Sequence, residues 1–325
     1  MFPRIHAVKL TAALIALSAF APLVIAQSYP AKSVRIVVPY PPGAGVDITT
    51  RLFTPKLTER LGQQFVVDNR AGAGGNVGAE YVAHGAPDGY LLLMAPASIA
   101  ISQSLYKNLR YDLRRDFDAI AMIGSAPFVL VMHPSAPART ARELIALAKS
   151  HPKQLSYASS GSGSASHLVA EMFNLQAGIN VLHIPYKGTV PALTDVIAGF
   201  VSLTFANTLS GLPLVNAGRL RALGITSAKR SSTAPGLPTL AESGLPGFEG
   251  VTWFSLLAPK GTPRDIITRL NSALAEIGQS QDTRDRLSEQ GAESLGGTPE
   301  QVTSFIAAET VKWAQVVAAS GARAE

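Results

Sequence analysis

Short runs of β-branched and aliphatic residues alternate with amphipathic segments along most of the chain. This alternation constrains the fold more than any other feature, because strands linked by helical crossovers build parallel sheets covered by helices. The runs are Val34–Val38, Phe65–Val67, Tyr90–Met94, Phe128–Met132, Leu155–Ala158, Asn180–Ile184, Val201–Phe205 and Arg221–Ile225. Helix starts are marked by Thr140-Ala141-Arg142-Glu143, Thr262-Pro263-Arg264-Asp265 and Thr298-Pro299-Glu300-Gln301. In each, a Thr hydroxyl can cap amides while the fourth residue reaches back. Apolar stripes at helical spacing follow the last two: Ile266, Ile267, Leu270, Leu274 and Ile277, then Val302, Phe305, Ile306, Trp313 and Val316. Both stripes are read as core. Pro55 falls within another helical pattern, Ile48, Leu52, Leu57 and Leu61, and is expected to kink or split it.

A chain of 325 residues that is 47% hydrophobic has material for about two domains. Turn-rich sequence meets apolar runs at 118–125 and 247–256. If the chain crosses between domains at both places, lobe 1 comprises 27–124 and 250–325, and lobe 2 comprises 125–249. The expected fold is α/β, with two lobes joined by crossing strands around a cleft, where ligands favour domain interfaces and the carboxyl ends of parallel strands. Upstream, Arg4 and Lys9 precede a mostly apolar run, Leu10–Ala26, interrupted by Pro22. Residues 1–26 are therefore read as a cleavable secretory signal peptide rather than an anchoring helix, and no later run approaches spanning length.

Several chemistries are poorly supported. The chain has no cysteine, which removes thiolate metal sites and Cys nucleophiles. Its six histidines, His6, His84, His133, His151, His167 and His183, never occur at H-E-x-x-H spacing, so no metal is expected. Three Gly-rich turns approach a dinucleotide fingerprint, but Ile48, Val77 and Ser166 stand where its third glycine would be, and Lys never follows Gly. No cofactor is expected on that basis. The net charge is +6, of which Arg4 and Lys9 supply two, and the densest cationic stretch, Arg110–Asp118, interleaves Arg with Asp. Such a segment is ion-paired and solvated rather than a nucleic-acid surface.

The most informative segment is Val38-Pro39-Tyr40-Pro41-Pro42-Gly43-Ala44-Gly45-Val46-Asp47, a turn between the first strand and a helix. It offers the amides of Ala44, Gly45 and Val46 at the positive end of a helix dipole, a place for a carboxylate or phosphate without any side-chain charge. Asp47 either contacts a cationic ligand group or serves as an ordinary helix N-terminal residue. A second turn of this kind, Ser159-Ser160-Gly161-Ser162-Gly163-Ser164, follows the Leu155–Ala158 run and precedes another helical pattern. Alone it would be a flexible Gly/Ser loop, but two cradles in two lobes make a pincer. His167 follows the second cradle and either touches a ligand or packs. Asp195 and Asn207 are caps or cleft contacts. No nucleophile signature surrounds Ser160 or Ser162.

Tyr40-Pro41-Pro42-Gly43-x-Gly45-x-Asp47, Asn69-Arg70-Ala71-Gly72-Ala73-Gly74-Gly75-Asn76-Val77-Gly78, Ala86-Pro87-Asp88-Gly89-Tyr90, Tyr157–Gly163, Pro185-Tyr186-Lys187-Gly188 and Gly218-Arg219-Leu220-Arg221-Ala222-Leu223 occur in this order across the mature chain. Together they resemble the Bug-type extracytoplasmic solute receptors, the binding proteins of tripartite tricarboxylate transporters. The resemblance implies a type II periplasmic-binding-protein fold, a periplasmic location, and a small organic acid delivered to the membrane subunits of a tripartite transporter. The family's binding loops fall on Tyr40, Pro42, Gly43, Ala44, Gly45, Val46 and Asp47 in one lobe and on Ser160, Gly161, Ser162, Gly163 and Ser164 in the other. His167 lies close by, and Asn76, Tyr186 and Asn207 are implied as cleft or supporting residues. Ala44 and Val46 depart from the family's usual glycine and hydroxyl-bearing residues, which removes a side-chain donor at 46 and leaves the backbone donors. The expected protein is a monomer without enzymatic activity. The rival readings are a secreted hydrolase using the Ser-rich loop with His167, and a sensing module that signals to a membrane partner.

Overall fold

The computed structural model describes residues 29–231, 234–289 and 291–323. Residues 1–26, read as a signal peptide, lie outside them. Strands β1 (Val34–Val38), β2 (Phe65–Asn69) and β3 (Leu91–Pro96) are parallel, with β1 in the middle. Strands β5 (Ser156–Ser159), β6 (Leu182–Pro185) and β7 (Leu203–Asn207) form a second parallel set, with β5 in the middle. Between the sets run two long strands, β4 (Phe117–Met132) and β9 (Val251–Pro259), antiparallel to each other and to their neighbours. The order is β2-β1-β3-β9-β4-β7-β5-β6, with β8 (Arg221–Ile225) and the short β10 (Glu293–Ser294) also on β4.

Strand β4 changes partners part-way. Over Phe117–Pro127 it pairs with β9, and from Phe128 to Met132 with β7. The result is the two-lobe α/β fold of periplasmic binding proteins, one lobe around β1–β3 and the other around β5–β7. Helices α1 (Gly45–Leu61), α2 (Asn76–Ala83) and α3 (Ser98–Leu105) follow β1, β2 and β3. Helix α4 (Ala141–Ser150) follows β4, and α5 (Ala165–Ala177), α6 (Thr189–Ile197) and α7 (Thr208–Asn216) follow β5, β6 and β7. After β9 come α8 (Arg264–Gln279), α9 (Gln281–Ser288) and α10 (Pro299–Ser320). The predicted caps form at Thr140 and Thr298, where Gln301 completes a capping box on α10, but not at Thr262: α8 is capped by Pro263 without a side-chain bond, and the Thr262 hydroxyl donates to the Pro259 carbonyl instead. Pro55 does not split its helix, contrary to expectation: α1 runs unbroken through it. Its face against the sheet, Phe53 and Leu57, is buried, so packing outweighs the lost hydrogen bond.

In the stripe on α10, Val302, Ile306 and Trp313 are buried as expected, while Phe305 is exposed, its ring meeting Trp253 edge-on at 5.7 Å, and Val316 is only partly buried. This helix touches α3 and α5, and so spans both lobes. Glu309 anchors it: its carboxylate accepts from the indoles of Trp253 on β9 (2.9 Å) and Trp313 (3.0 Å). Lys312 pairs with the same group at 3.2 Å.

Candidate functional site

Because β1–β3 and β5–β7 are parallel within their sets, the helices that follow them start at the strands' carboxyl ends, and these ends meet between the lobes. The two sides touch. The Tyr106 hydroxyl donates to the Ser162 carbonyl at 3.2 Å. A Cβ at Gly45 would lie 2.8 Å from Asn207 Oδ1, and one at Gly188 would lie 2.9 Å from Pro41 Cγ. Only residues without a β-carbon let the lobes close this far.

A cavity of about 50 Å³ lies at this meeting place. Tyr40, Ala44, Gly45, Val46, Pro96 and Ser98 line it from the first lobe, and Ser160, Ala165, Thr189 and Asn207 from the second. Phe128, Thr252 and Phe254 close it from the two long strands. A smaller space of about 30 Å³ behind it shares Phe128, Ser160, Thr189 and Asn207. The lining contains no Lys, Arg, His, Asp or Glu.

Positive potential comes instead from helix ends. Gly45, Ser98, Ala165 and Thr189 are the first residues of α1, α3, α5 and α6, and Asn207 is the cap of α7. Ala44, Ala97 and Gly188 cap their helices without a side-chain hydrogen bond. At α1, Asp47 N and Ile48 N both bond the Ala44 carbonyl, so the amides of Gly45 and Val46 are the donors left over. The Ala44 amide differs from expectation: it turns inward to Pro41 O at 3.4 Å. At α5, Ser164 Oγ takes the His167 amide at 3.3 Å, leaving Ala165 and Ser166 as the first-turn donors.

In the Ser160–Ser164 loop, four backbone amides are taken up by bonds within the turn and the helix start that follows it. Within that loop, Ser160 N bonds Ser166 Oγ (3.1 Å), Gly161 N bonds Ser159 Oγ (3.2 Å) and Gly163 N bonds His167 Nδ1 (3.1 Å). Ser164 N bonds Gly161 O at 3.0 Å. The loop spends these amides on its own shape, and the first-turn amides left without such bonds, those of Ala165 and Ser166, follow it directly.

Of the residues named from the sequence, the structure brings Tyr40, Ala44, Gly45, Val46, Ser160 and Asn207 to the cavity. The others surround it. Pro42 is exposed on the turn, and Gly43 holds a left-handed φ of 83° while its amide donates to Asp47 Oδ2 at 3.0 Å. Asp47 also receives Asn69 Nδ2 (2.9 Å) and Arg51 Nε (3.1 Å). Burial opposes its charge, but these hydrogen bonds from Arg51, Asn69 and Gly43 prevail and hold its carboxyl below the usual range. Asp47 is thus a brace for the turn rather than a group facing the cavity.

His167 is likewise internal. Its ring stacks on His183 at 4.0 Å, and Tyr157 stacks on His183 in turn at 4.8 Å. Burial, and then the neighbouring His183, push His167 down to about 3, while burial pushes His183 down to about 4. Both are neutral at pH 7. The Oδ1 of Asn76 accepts from Tyr111 at 2.6 Å, and Tyr186 donates to Asp195 at 2.5 Å; neither side chain lines the cavity. Ser98, Phe128, Thr189, Thr252 and Phe254 were not singled out from the sequence. They sit on strands or ordinary helix starts whose pattern carries no local sign of a cavity.

The comparisons agree with this architecture. The family model described as tripartite tricarboxylate transporter family receptor matches residues 49–322. Protein BugT of Bordetella pertussis is 39% identical over 311 residues, covering 95% of each chain. Among solved structures, R. palustris Rpa4515 with adipate superposes with a TM-score of 0.89 at 38% identity, over 91% of this chain and 99% of that one. MatC from Rhodopseudomonas palustris with bound malate gives 0.84 at 31% identity, over 89% and 100%.

Proposed function

This chain belongs to the tripartite tricarboxylate transporter receptor family, and from that premise we propose that it binds a small organic carboxylate between its lobes and delivers it to the membrane subunits of such a transporter. The observation that carries the proposal is the convergence of five helix N-termini on a cavity without a charged side chain. Helix dipoles and unpaired first-turn amides favour an anion there, and a flat carboxylate can accept from both lobes at once. The bound adipate and malate of the relatives support this class of ligand.

In this reading the Gly45 and Val46 amides and the Ala165 and Ser166 amides are the pincer. Tyr40, Ala44, Ser160 and Asn207 shape its walls. Pro42, Gly43, Asp47, Gly161, Ser162, Gly163, Ser164 and His167 hold the two turns, and Asn76 and Tyr186 support them from behind. The lobes are taken as 27–124 with 250–325 and as 125–249. Residues 1–26 are taken as a signal peptide that sends a monomeric receptor to the periplasm. The hydrolase reading has less support: Ser160 Oγ bonds Ser166 Oγ at 3.1 Å, and His167 Nδ1 is engaged by the Gly163 amide.

Ligand binding to the folded state alone raises the unfolding free energy by about 2.7 kcal/mol at a hundredfold excess over Kd. The mature protein, unfolded and refolded to release any captured ligand, is therefore scanned for thermal shifts against mono-, di- and tricarboxylates, amino acids and aromatic acids. A saturable shift with a carboxylate is expected. No shift with any carboxylate would contradict the proposal.

A further inference from the structure

We propose that Ser98 is a specificity-determining residue: its hydroxyl hydrogen-bonds a second polar group on the bound carboxylate, so the receptor favours ligands that carry one. This inference rests on the carboxylate reading and goes beyond the two-turn pincer, because Ser98 belongs to neither turn. It opens α3 at the carboxyl end of β3, lines the cavity, and is 1% exposed. Its Oγ makes no hydrogen bond of good geometry among the described residues, and the polar group beside it, the Tyr40 hydroxyl, already donates to the Gly74 carbonyl at 3.0 Å.

The orphan hydroxyl is held in a rigid setting. The preceding Ala97 amide bonds the Trp253 carbonyl at 3.1 Å, and Pro96 pairs with Phe254 across β3 and β9. Leaving a buried hydroxyl unpaired is costly, and native chains keep such groups where something else meets them. Of the walls beside it, Pro96 and Phe254 are apolar, and Tyr40 has spent its hydroxyl proton on Gly74. A hydroxyl or carboxyl oxygen on the ligand does, and the start of α3 adds a further uncapped dipole to that encounter. A site built to hydrogen-bond a ligand group discriminates against analogues that lack it, since the protein's own group is then left unpaired.

The same helix supplies a control. One turn on, Ser102 is also buried with a hydroxyl that makes no hydrogen bond of good geometry, beside a tyrosine, Tyr111, that donates elsewhere, but it does not line the cavity. The experiment is calorimetric titration of the refolded mature protein with adipate and hexanoate, and with malate and butyrate, for wild type, Ser98→Ala, Ser98→Cys and Ser102→Ala. Thermal melts verify that each variant is folded. Wild type is expected to prefer the ligand with two polar ends in at least one pair. Ser98→Ala should weaken that ligand about tenfold and leave its monocarboxylate analogue within about twofold. Ser98→Cys, close in shape but a poor donor, should show the same selective loss, and Ser102→Ala should behave as wild type. The inference is overturned if Ser98→Ala keeps wild-type affinity, if it weakens both members of the pair equally, or if Ser102→Ala loses as much. A folded wild-type protein that binds none of the four acids overturns the carboxylate reading itself, and this inference with it.

Discussion

At the scale of single residues, Gly45 is the position where side-chain size bears most directly on function. Its φ is not left-handed, so a β-carbon there strains nothing locally, yet it would lie 2.8 Å from Asn207 Oδ1 of the other lobe. Gly45→Ala is therefore expected to weaken carboxylate binding at least about tenfold, with little change in the melting of the ligand-free protein. Calorimetry paired with thermal melts checks this. Gly43 and Gly161 are poorer test sites, because their φ values of 83° and 132° add backbone strain to any substitution. A second residue-scale prediction concerns pH. His167, lowered in the folded state to about 3 from an ordinary 6.5, binds its proton more readily when unfolded. Its contribution to stability is complete above the unfolded value and is lost as pH falls towards the folded one. At pH 5 the loss is about 2 kcal/mol, with less from the more exposed His183. His167→Asn keeps an acceptor for the Gly163 amide, and its melting temperature should fall less than wild type between pH 7 and pH 5. Equal falls would mean that the stacked pair is not the source.

At the scale of elements, α10 acts as a strap whose hold depends on one carboxylate. Glu309→Ala leaves the Trp253 and Trp313 indole N–H groups without their acceptor and opens a void. A loss of about 2–4 kcal/mol in chemical denaturation is expected. These are the chain's two tryptophans, so the emission of the folded protein should shift as well. The elements themselves were largely legible in the sequence, because buried parallel strands must be apolar and β-branched while their covering helices carry apolar stripes. Strand β4 shows the limit. Only Phe128–Met132 was read as strand, since the residues before it include Gly124 and Pro127, which ordinarily mark turns. In the fold this stretch pairs with β9, with register shifts between Ala119 and Ala121 and between Met122 and Gly124. Pro55 shows the converse, a local breaker overruled by tertiary packing. In the site, the two turns were legible as Gly-rich links from strand to helix. That the second would consume most of its own amides was not, because it depends on where Ser159, Ser166 and His167 point. Phe128, Thr252 and Phe254 were invisible for a related reason: they belong to the cavity only once the two long strands lie side by side.

At the scale of the whole molecule, ligand binding and lobe closure are one equilibrium, because the proposed donors come from both lobes and only the closed form presents them together. With no carboxylate, imidazole or cationic side chain in the lining, and with burial raising the Tyr40 phenol further above this range, affinity for a fully ionised dicarboxylate should stay within about threefold between pH 6 and pH 9. A titration series over that range checks it, and a steep change would point to a charged side chain in the binding event. The central claim is that backbone amides at facing helix ends, rather than a cationic side chain, hold the carboxylate. A crystal structure of the mature protein with a carboxylate identified by thermal shift tests it most directly. The account predicts carboxylate oxygens within about 3 Å of the Gly45 or Val46 amides, and of the Ala165 or Ser166 amides, either directly or through one water. A carboxylate paired with an Arg or Lys, or bound away from these helix ends, would contradict it.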